Sequence, residues 1–226
     1  MTTPEPLSPV KRALLEIRDL KAKLAETERA QHESIAIIGM GLRWPGGAHD
    51  PASAWQLLRD GVDAISEVPK DRWNIDDYFD PNPDAPGKMS TRWAGFITDI
   101  DKFDADFFGI SPREATSMDP QQRLLMKVAW EALENAGHAP EKLVGSATGV
   151  FVGVASFDYT QMQMQHVPLA DIDAYLATGY SHSVCSGRLS YFLGLQGPSI
   201  SLDTACSSSL VAVHLACQSL RSGECN

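Results

Sequence analysis

Long apolar runs are absent from the sequence, and no stretch reaches the roughly 18 apolar residues that a membrane-spanning helix needs. The opening residues MTTPEPLSPVKR are not followed by an apolar segment, so we expect no secretory signal. An excess of positive charge is also missing, since the net charge is −10, and this disfavours binding to a phosphate backbone. These absences predict a cytoplasmic protein that binds neither nucleic acid nor membrane.

Cysteine is scarce, and without an export signal the four cysteines are expected to be free thiols. They are Cys185, Cys206, Cys217 and Cys225. If the segment from Cys206 to Cys217 is helical, its ends lie about 16 Å apart, too far for a disulfide. His214 and Cys217 have helical spacing, but no second ligand pair accompanies them. We therefore expect packing residues on a buried helix and predict no metal site and no directly bound cofactor.

The segment 10–30 contains no glycine or proline and is rich in helix-forming residues. Its apolar residues follow a heptad pattern that a single lysine interrupts: Val10, Leu14, Ile17, Lys21 and Leu24. A lone helix of this length is marginal in water. Residues 1–32 therefore predict a docking or dimerising coiled-coil helix, and the alternative is a solvated N-terminal helix without a partner.

After this helix, segments typical of strands and helices alternate along the chain. The apolar run SIAIIGM, residues 34–40, predicts a buried strand, and residues 148–156 predict another. Asp50-Pro51 and Asp119-Pro120 each place an N-cap residue before proline, which predicts that a helix starts there. The second of these helices is expected to end at Gly137. The alternation indicates an α/β fold class.

Two segments suggest ligands that their spacing does not support. Gly39-Met40-Gly41 begins like a dinucleotide fingerprint, but Trp44 occupies the place of its third glycine. Residues 69–90 are rich in aspartate but lack the spacing of a calcium-binding EF-hand loop. We expect neither nucleotide nor calcium binding, and we interpret residues 69–90 as an acidic surface loop.

The segment GPSISLDTACSSSLVAVHLACQSLRSGE, residues 197–224, carries the densest chemical signal. It predicts a strand over residues 199–203, a sharp turn at Cys206 and a helix that ends before Gly223, the arrangement of a nucleophile elbow. The helix dipole and free backbone N–H groups at such a turn stabilise a thiolate, and the same N–H groups can hold an oxyanion. The alternative is a buried cysteine that packs as a small hydrophobe.

A general base beside this cysteine is not evident in the sequence. His214 lies eight residues further along the same helix, about 12 Å away and about 80° around the axis, so it cannot reach Cys206. His182, in GYSHSVCSGR, stands at no recognisable spacing. A cysteine hydrolase would need a histidine or asparagine pattern that is not found here.

DTACSSSL, residues 203–210, resembles the active-site motif of β-ketoacyl synthase domains in modular type I polyketide synthases. The likeness covers residues 34–226 and also includes IAIIGMGLRWPGG, the segment 103–137 and SVCSGRLSYFLGLQGPSISLDTACSSSL. The helix at residues 1–32 resembles the docking coiled coil that begins many such polypeptides.

The resemblance implies that residues 33–226 are the N-terminal half of a thiolase-like layered αβαβα fold that forms a homodimer. It implies that Cys206 accepts an acyl chain from the phosphopantetheine of an acyl carrier protein, with its own backbone N–H as oxyanion donor. Decarboxylative Claisen condensation with a malonyl-type extender would follow. It also implies an upstream polyketide synthase subunit bound through residues 1–32.

Two histidines and a lysine assist condensation in the family, and all three lie C-terminal to the cysteine. Because this sequence stops at Asn226, twenty residues beyond Cys206, we expect a fragment inactive in condensation. The alternatives are a docking or scaffold fragment and a non-elongating ketosynthase that has lost one of those histidines. A variant that only decarboxylates typically has glutamine in place of the nucleophile, and Cys206 argues against it.

Overall fold

The computed structural model describes residues 8–168, 170 and 172–226. The helices within these residues are α1 (Pro9–Gln31), α2 (Pro51–Arg59), α3 (Pro112–Ser117), α4 (Pro120–Asn135), α5 (Asp158–His166), α6 (Ala174–Tyr180), α7 (His182–Leu193) and α8 (Ser208–Ser222). The strands are β1 (Ile65–Glu67), β2 (Trp93–Gly95), β3 (Val150–Gly153) and β4 (Ser199–Leu202). Strands β1 and β2 form an antiparallel pair, which the sequence did not predict.

Strands β3 and β4 run parallel, with Val150 opposite Ser199 and Gly153 opposite Leu202. Val152 of β3 clusters with Cys185 of α7, whereas the next residue, Gly153, lies against the start of α8. Because successive strand residues point to opposite faces, α7 and α8 cover opposite sides of this small sheet. The α/β class expected from the alternating sequence pattern is therefore present, and the helices and the sheet are stacked in layers.

An apolar core lies where α4 and α7 meet the loop before α3. Its most buried residues are Phe108, Ile110, Met118, Met126 and Leu189. Phe108 stacks on Phe103 with ring centroids 5.1 Å apart, and Phe107 meets Trp130 edge to face at 4.9 Å. Such aromatic pairs add stabilisation beyond the area that they bury.

A buried polar network joins four helices next to this core. Gln122 of α4 is only 2% exposed, and its amide nitrogen donates to the carbonyl oxygens of Thr178 (3.1 Å) and Gly179 (2.9 Å) of α6. Its side-chain oxygen accepts from Nε of Arg188 in α7, and the guanidinium of Arg188 also donates to Glu114 of α3 at 2.6 Å. The network therefore ties α3, α4, α6 and α7 together.

The expected buried strand at residues 34–40 is wrong. This segment pairs with no strand among the described residues, and Ile37 and Ile38 are 82% and 65% exposed. It instead runs along α4, where a Cβ atom on Gly39 would lie 2.3 Å from the carbonyl oxygen of Ala132. The Met40 N–H donates to the side chain of Asn135 at 3.0 Å. Apolar β-branched residues favour extended backbone, but a strand also needs a neighbour with which to pair.

The helices predicted from their caps are confirmed. Asp50 caps α2 through the N–H of Ser53 at 2.8 Å, and Asp119 caps α4 through the N–H of Gln121 at 2.8 Å. The predicted helix at residues 10–30 is present as α1. No helix among the described residues is long and apolar enough to cross a membrane.

Helix α8 begins and ends where the sequence predicted, with Gly223 in the left-handed conformation at its C-cap. The expectation of a buried helix there is wrong, because Leu210 is 74% exposed and Val213 and His214 are also exposed. Only the face that carries Ser208, Ala212 and Ser219 is buried, since α8 packs on the sheet from one side.

The Gln122 network generates a stability prediction. Gln122→Leu removes the acceptor for Arg188 and the donor for the α6 carbonyls, so we expect the free energy of unfolding to fall by about 2–4 kcal/mol. Gln56→Leu is the matched control, because Gln56 is exposed on α2, and its effect should stay within about 0.5 kcal/mol. Urea denaturation followed by circular dichroism measures both. Equal effects of the two substitutions would contradict the role given to the network.

Candidate active site

Cys206 lies in the turn between β4 and α8, at the carboxyl end of the sheet. It is exposed and directly precedes Ser207, the N-cap residue of α8. The first turn of a helix leaves backbone N–H groups without intrahelical acceptors, and the positive end of the helix dipole lies there. The predicted strand, sharp turn and helix around Cys206 are therefore present, and the alternative of a buried packing cysteine is wrong.

The turn has a strained backbone immediately before the cysteine. Ala205 has φ 56°, a left-handed conformation that costs a non-glycine residue about 1–2 kcal/mol. The Ala205 N–H donates to the carboxylate of Asp203 at 2.8 Å. The hydroxyl of Ser207 donates to the carbonyl oxygen of Thr204 at 2.8 Å. Side chains on both sides of Cys206 thus hold the turn in its sharp conformation.

A second strained turn leaves the same edge of the sheet. Because β3 and β4 are parallel, residues 154–157 follow β3 at the edge from which residues 203–206 follow β4. Ser156 in that segment has φ 78°, and its carbonyl oxygen accepts from Nε2 of His182 at 3.0 Å. The His182 ring also stacks on Phe157, with centroids 4.1 Å apart. Strained residues of this kind cluster at functional sites.

The two histidines considered from the sequence have defined surroundings. His182 is the first residue of α7 and uses one ring nitrogen in the bond to Ser156. His214 lies on the exposed side of α8 and lines a cleft of about 640 Å³ together with Phe151 and Ile200. Neither has a hydrogen bond to Cys206 among the described residues. The geometry therefore provides an exposed thiol at a helix N-terminus without a bonded base.

The other cysteines differ from Cys206 in their surroundings. Cys185 and Cys225 are buried and Cys217 is half-buried, and all four thiols are free. Burial, assisted by the negative charge of Asp119, raises the pKa of the Cys185 thiol to about 11. No group of three or more metal-ligating side chains was found in the described part of the chain, and the His214–Cys217 pair gains no further ligand there.

Sequence reasoning missed three features near the two turns at this edge of the sheet. They are the buried hydroxyl of Ser208, the close approach of Gly153 to α8, and the stack of Phe157 on His182. A serine two residues after a candidate nucleophile and a glycine inside a strand were visible signals. Their roles depend on which elements meet in space, so the sequence alone does not specify them.

Comparison with known proteins places this geometry in a family context. Residues 32–226 match the family model described as β-ketoacyl synthase, N-terminal domain. The chain is 58% identical over 189 residues to a phenolphthiocerol/phthiocerol polyketide synthase polypeptide of Mycobacterium tuberculosis, covering 84% of this chain and 10% of that protein. It is 51% identical over 216 residues to the pikromycin polyketide synthase component PikAII of Streptomyces venezuelae, covering 95% of this chain and 6% of that protein.

Solved structures agree with the sequence matches. The oxazolomycin ketosynthase domain OzmH KS7 of Streptomyces albus JA3453 superposes with a TM-score of 0.76 at 40% identity, covering 85% of this chain and 33% of that chain. The ketosynthase from module 6 of the bacillaene synthase of Bacillus subtilis 168 gives a TM-score of 0.74 at 38% identity, covering 84% and 30%. The chain thus spans about a third of the length of these ketosynthase chains and about a tenth or less of the curated relatives.

The contrast between the cysteines generates a labelling prediction. In the folded protein at pH 8 we expect iodoacetamide to alkylate Cys206 and to leave Cys185 unmodified, because Cys185 is buried and its raised pKa keeps its thiol protonated. Peptide mapping by mass spectrometry gives the rate at each cysteine, and labelling in urea is the control in which both react. Alkylation of Cys185 as fast as that of Cys206 in the native state would contradict this picture.

Proposed function

The chain belongs to the β-ketoacyl synthase family, of which it matches the N-terminal domain, and on that premise we propose that Cys206 takes an acyl chain in polyketide synthesis. The observation that carries the proposal is the exposed thiol held in a strained turn at the N-terminus of α8. Its layered α/β fold is the thiolase-like fold of the ketosynthase structures that it matches. Cys206 is the thiol that stands where the family's DTACSSSL motif has its nucleophile.

In the proposed acyl transfer, the Cys206 thiolate attacks the carbonyl carbon of an acyl thioester on the phosphopantetheine arm of an acyl carrier protein. The carbonyl oxygen becomes an oxyanion, and the backbone N–H of Cys206 is the donor that stabilises it. The carbon–sulfur bond to the arm then breaks, and the departing thiolate takes up a proton. An exposed thiol suits a substrate delivered on a long flexible arm.

Condensation is the second step of the proposed reaction. A malonyl-type extender loses CO₂, and the resulting carbanion attacks the acyl carbon on Cys206. A carbon–carbon bond forms and the bond to the cysteine sulfur breaks, which restores the thiolate. Among the described residues no histidine is bonded to Cys206, so we propose that the groups assisting decarboxylation lie in the part of a ketosynthase that these 226 residues do not span. We also propose that the protein carries out this reaction as a homodimer.

A second candidate function concerns α1. The four apolar residues of its heptad pattern are exposed along one helix face: Val10, Leu14, Ile17 and Leu24. An apolar stripe of this kind is stabilised when it packs against a second helix. We propose that residues 1–32 dock onto another polyketide synthase subunit or onto a second copy of this chain.

An acyl-transfer assay tests the first proposal. Incubation of the chain with a short acyl thioester of N-acetylcysteamine should give one acyl adduct by intact mass spectrometry, because the exposed thiolate attacks the thioester. Peptide mapping should locate the adduct at Cys206. The adduct should disappear in Cys206→Ala and persist in the control Cys217→Ala. An adduct that survives Cys206→Ala, or no adduct at all, would sink the proposal.

Sedimentation equilibrium of the whole chain tests the docking helix. Leu14→Glu combined with Ile17→Glu adds two charges to the apolar stripe, so self-association through α1 should weaken by at least about tenfold, because buried carboxylates are costly in such a seam. Ala22→Glu combined with Lys23→Gln makes the same net charge change on the opposite side of the helix and should leave association unchanged. Equal weakening in both double variants would argue against a seam at these positions.

A further inference from the structure

We infer that Ser208 is a positioning residue, whose buried hydroxyl locks the turn that presents Cys206. The inference rests on the proposed acyl-accepting role of that cysteine and adds a residue to it. Ser208 is the first residue of α8 and is only 6% exposed. Its side chain reaches back across Cys206 to the two residues that precede the cysteine.

Two short hydrogen bonds define this lock. The Thr204 N–H donates to the Ser208 hydroxyl oxygen at 2.8 Å, and that hydroxyl donates to the carbonyl oxygen of Ala205 at 2.7 Å. The Ser208 N–H donates to the same Ala205 carbonyl at 3.1 Å. The Ser208 hydroxyl therefore bonds to the N–H of Thr204 and to the carbonyl of Ala205. These bonds connect the strained residue, Ala205, to the first residue of α8.

The strain at Ala205 explains why such a lock is needed. An alanine keeps a left-handed backbone only where contacts with its surroundings hold it there. Without such contacts the Ala205 backbone would relax towards a more favourable φ. Relaxation would swing Cys206 away from the N–H groups and the positive dipole end of α8. The bonds of Ser208 oppose that relaxation, and because the hydroxyl is buried, water competes for them poorly.

Strand β3 holds Ser208 from the other side. A Cβ atom on Gly153 would lie 2.7 Å from the backbone carbonyl carbon of Ser208, 2.8 Å from the nitrogen of Ser209 and 3.0 Å from the Ser208 Cβ atom. The absence of a side chain at Gly153 lets the helix start press against the strand. Ser208 is therefore fixed between β3 and the turn. Its contact with the strand restricts the movement of the turn that carries Cys206.

Its neighbours in the serine run do not share this position. Ser207 is exposed, and its hydroxyl donates to the carbonyl oxygen and the hydroxyl of Thr204 rather than to the residue before the cysteine. Ser209 is exposed, and its hydroxyl has no hydrogen bond among the described residues. Ser209 therefore offers a matched control in which the same atom is removed from an adjacent residue.

The test compares the alkylation rates of Cys206 and Cys217 in the same molecules of the 226-residue chain, with iodoacetamide at pH 7.5 and peptide mapping. In Ser208→Ala the ratio of the Cys206 rate to the Cys217 rate should fall about fivefold, the effect expected from losing a hydroxyl cap worth about 1 kcal/mol. In Ser209→Ala it should stay within about twofold of the unsubstituted chain, a difference too small to indicate a lost hydrogen bond.

Two further variants separate the hydroxyl from simple packing. Ser208→Thr and Ser208→Val have the same shape, so any steric cost is common to both and only threonine keeps the hydroxyl. We expect the ratio to be about fivefold higher in Ser208→Thr than in Ser208→Val. Equal ratios in that pair, or an equal fall in Ser208→Ala and Ser209→Ala, would overturn the inference. Loss of the native circular dichroism spectrum in both Ser208→Ala and Ser208→Val would also overturn it, since the hydroxyl would then serve the whole fold.

The outcome is distinguishable from failure of the acyl-accepting role. If the unsubstituted chain is alkylated at Cys206 but takes no acyl group from a thioester, the proposed function fails. The alkylation ratios still report, in that case, whether Ser208 positions the thiol.

Discussion

Gln122 and Arg188 form the buried polar junction on which the position of the candidate nucleophile depends. Arg188 is held by Glu114 and Gln122, which fixes α7 beside α3, α4 and α6. Two residues earlier on α7, the N–H of Ser186 donates to the hydroxyl of Ser201 in β4 at 3.2 Å, and the two hydroxyls are 2.9 Å apart. Strand β4 leads directly into the turn at Cys206. A buried charge that loses one partner is strongly destabilising, so this chain of contacts tolerates little change.

The parallel pairing of β3 and β4 brings the segments that form the candidate active site together. Its two strands end at one edge, where residues 154–157 and 203–206 each contain a residue with a left-handed backbone, Ser156 and Ala205. Helices α7 and α8 pack on opposite faces of the pair, and both turns lie at the edge where the strands end. Functional loops on a rigid scaffold are the usual arrangement in α/β proteins, and here the scaffold brings the turn at Cys206 and the segment that contains Phe157 to the same edge of the sheet.

Features encoded locally were predictable from the sequence, and features that depend on tertiary contacts were not. Asp50-Pro51 and Asp119-Pro120 give cap and first-turn geometry within a few residues, and both helices begin there. The turn at Cys206 is likewise signalled by its own neighbours. The segment 34–40 was predicted as a buried strand because its composition is β-branched, yet pairing depends on a partner elsewhere in the chain. The Gln122 network and the lock at Ser208 join distant segments, and no local pattern marks them.

The extended segment at residues 34–40 has a practical consequence for the handling of this chain. It places two exposed isoleucines, Ile37 and Ile38, on backbone that pairs with no strand among the described residues, and an unpaired apolar edge of this kind is a template for intermolecular pairing. Colloidal stability then rests on mutual repulsion from the net charge of −10. High salt screens that repulsion, so we expect the concentration at which the protein stays dispersed to fall as ionic strength rises.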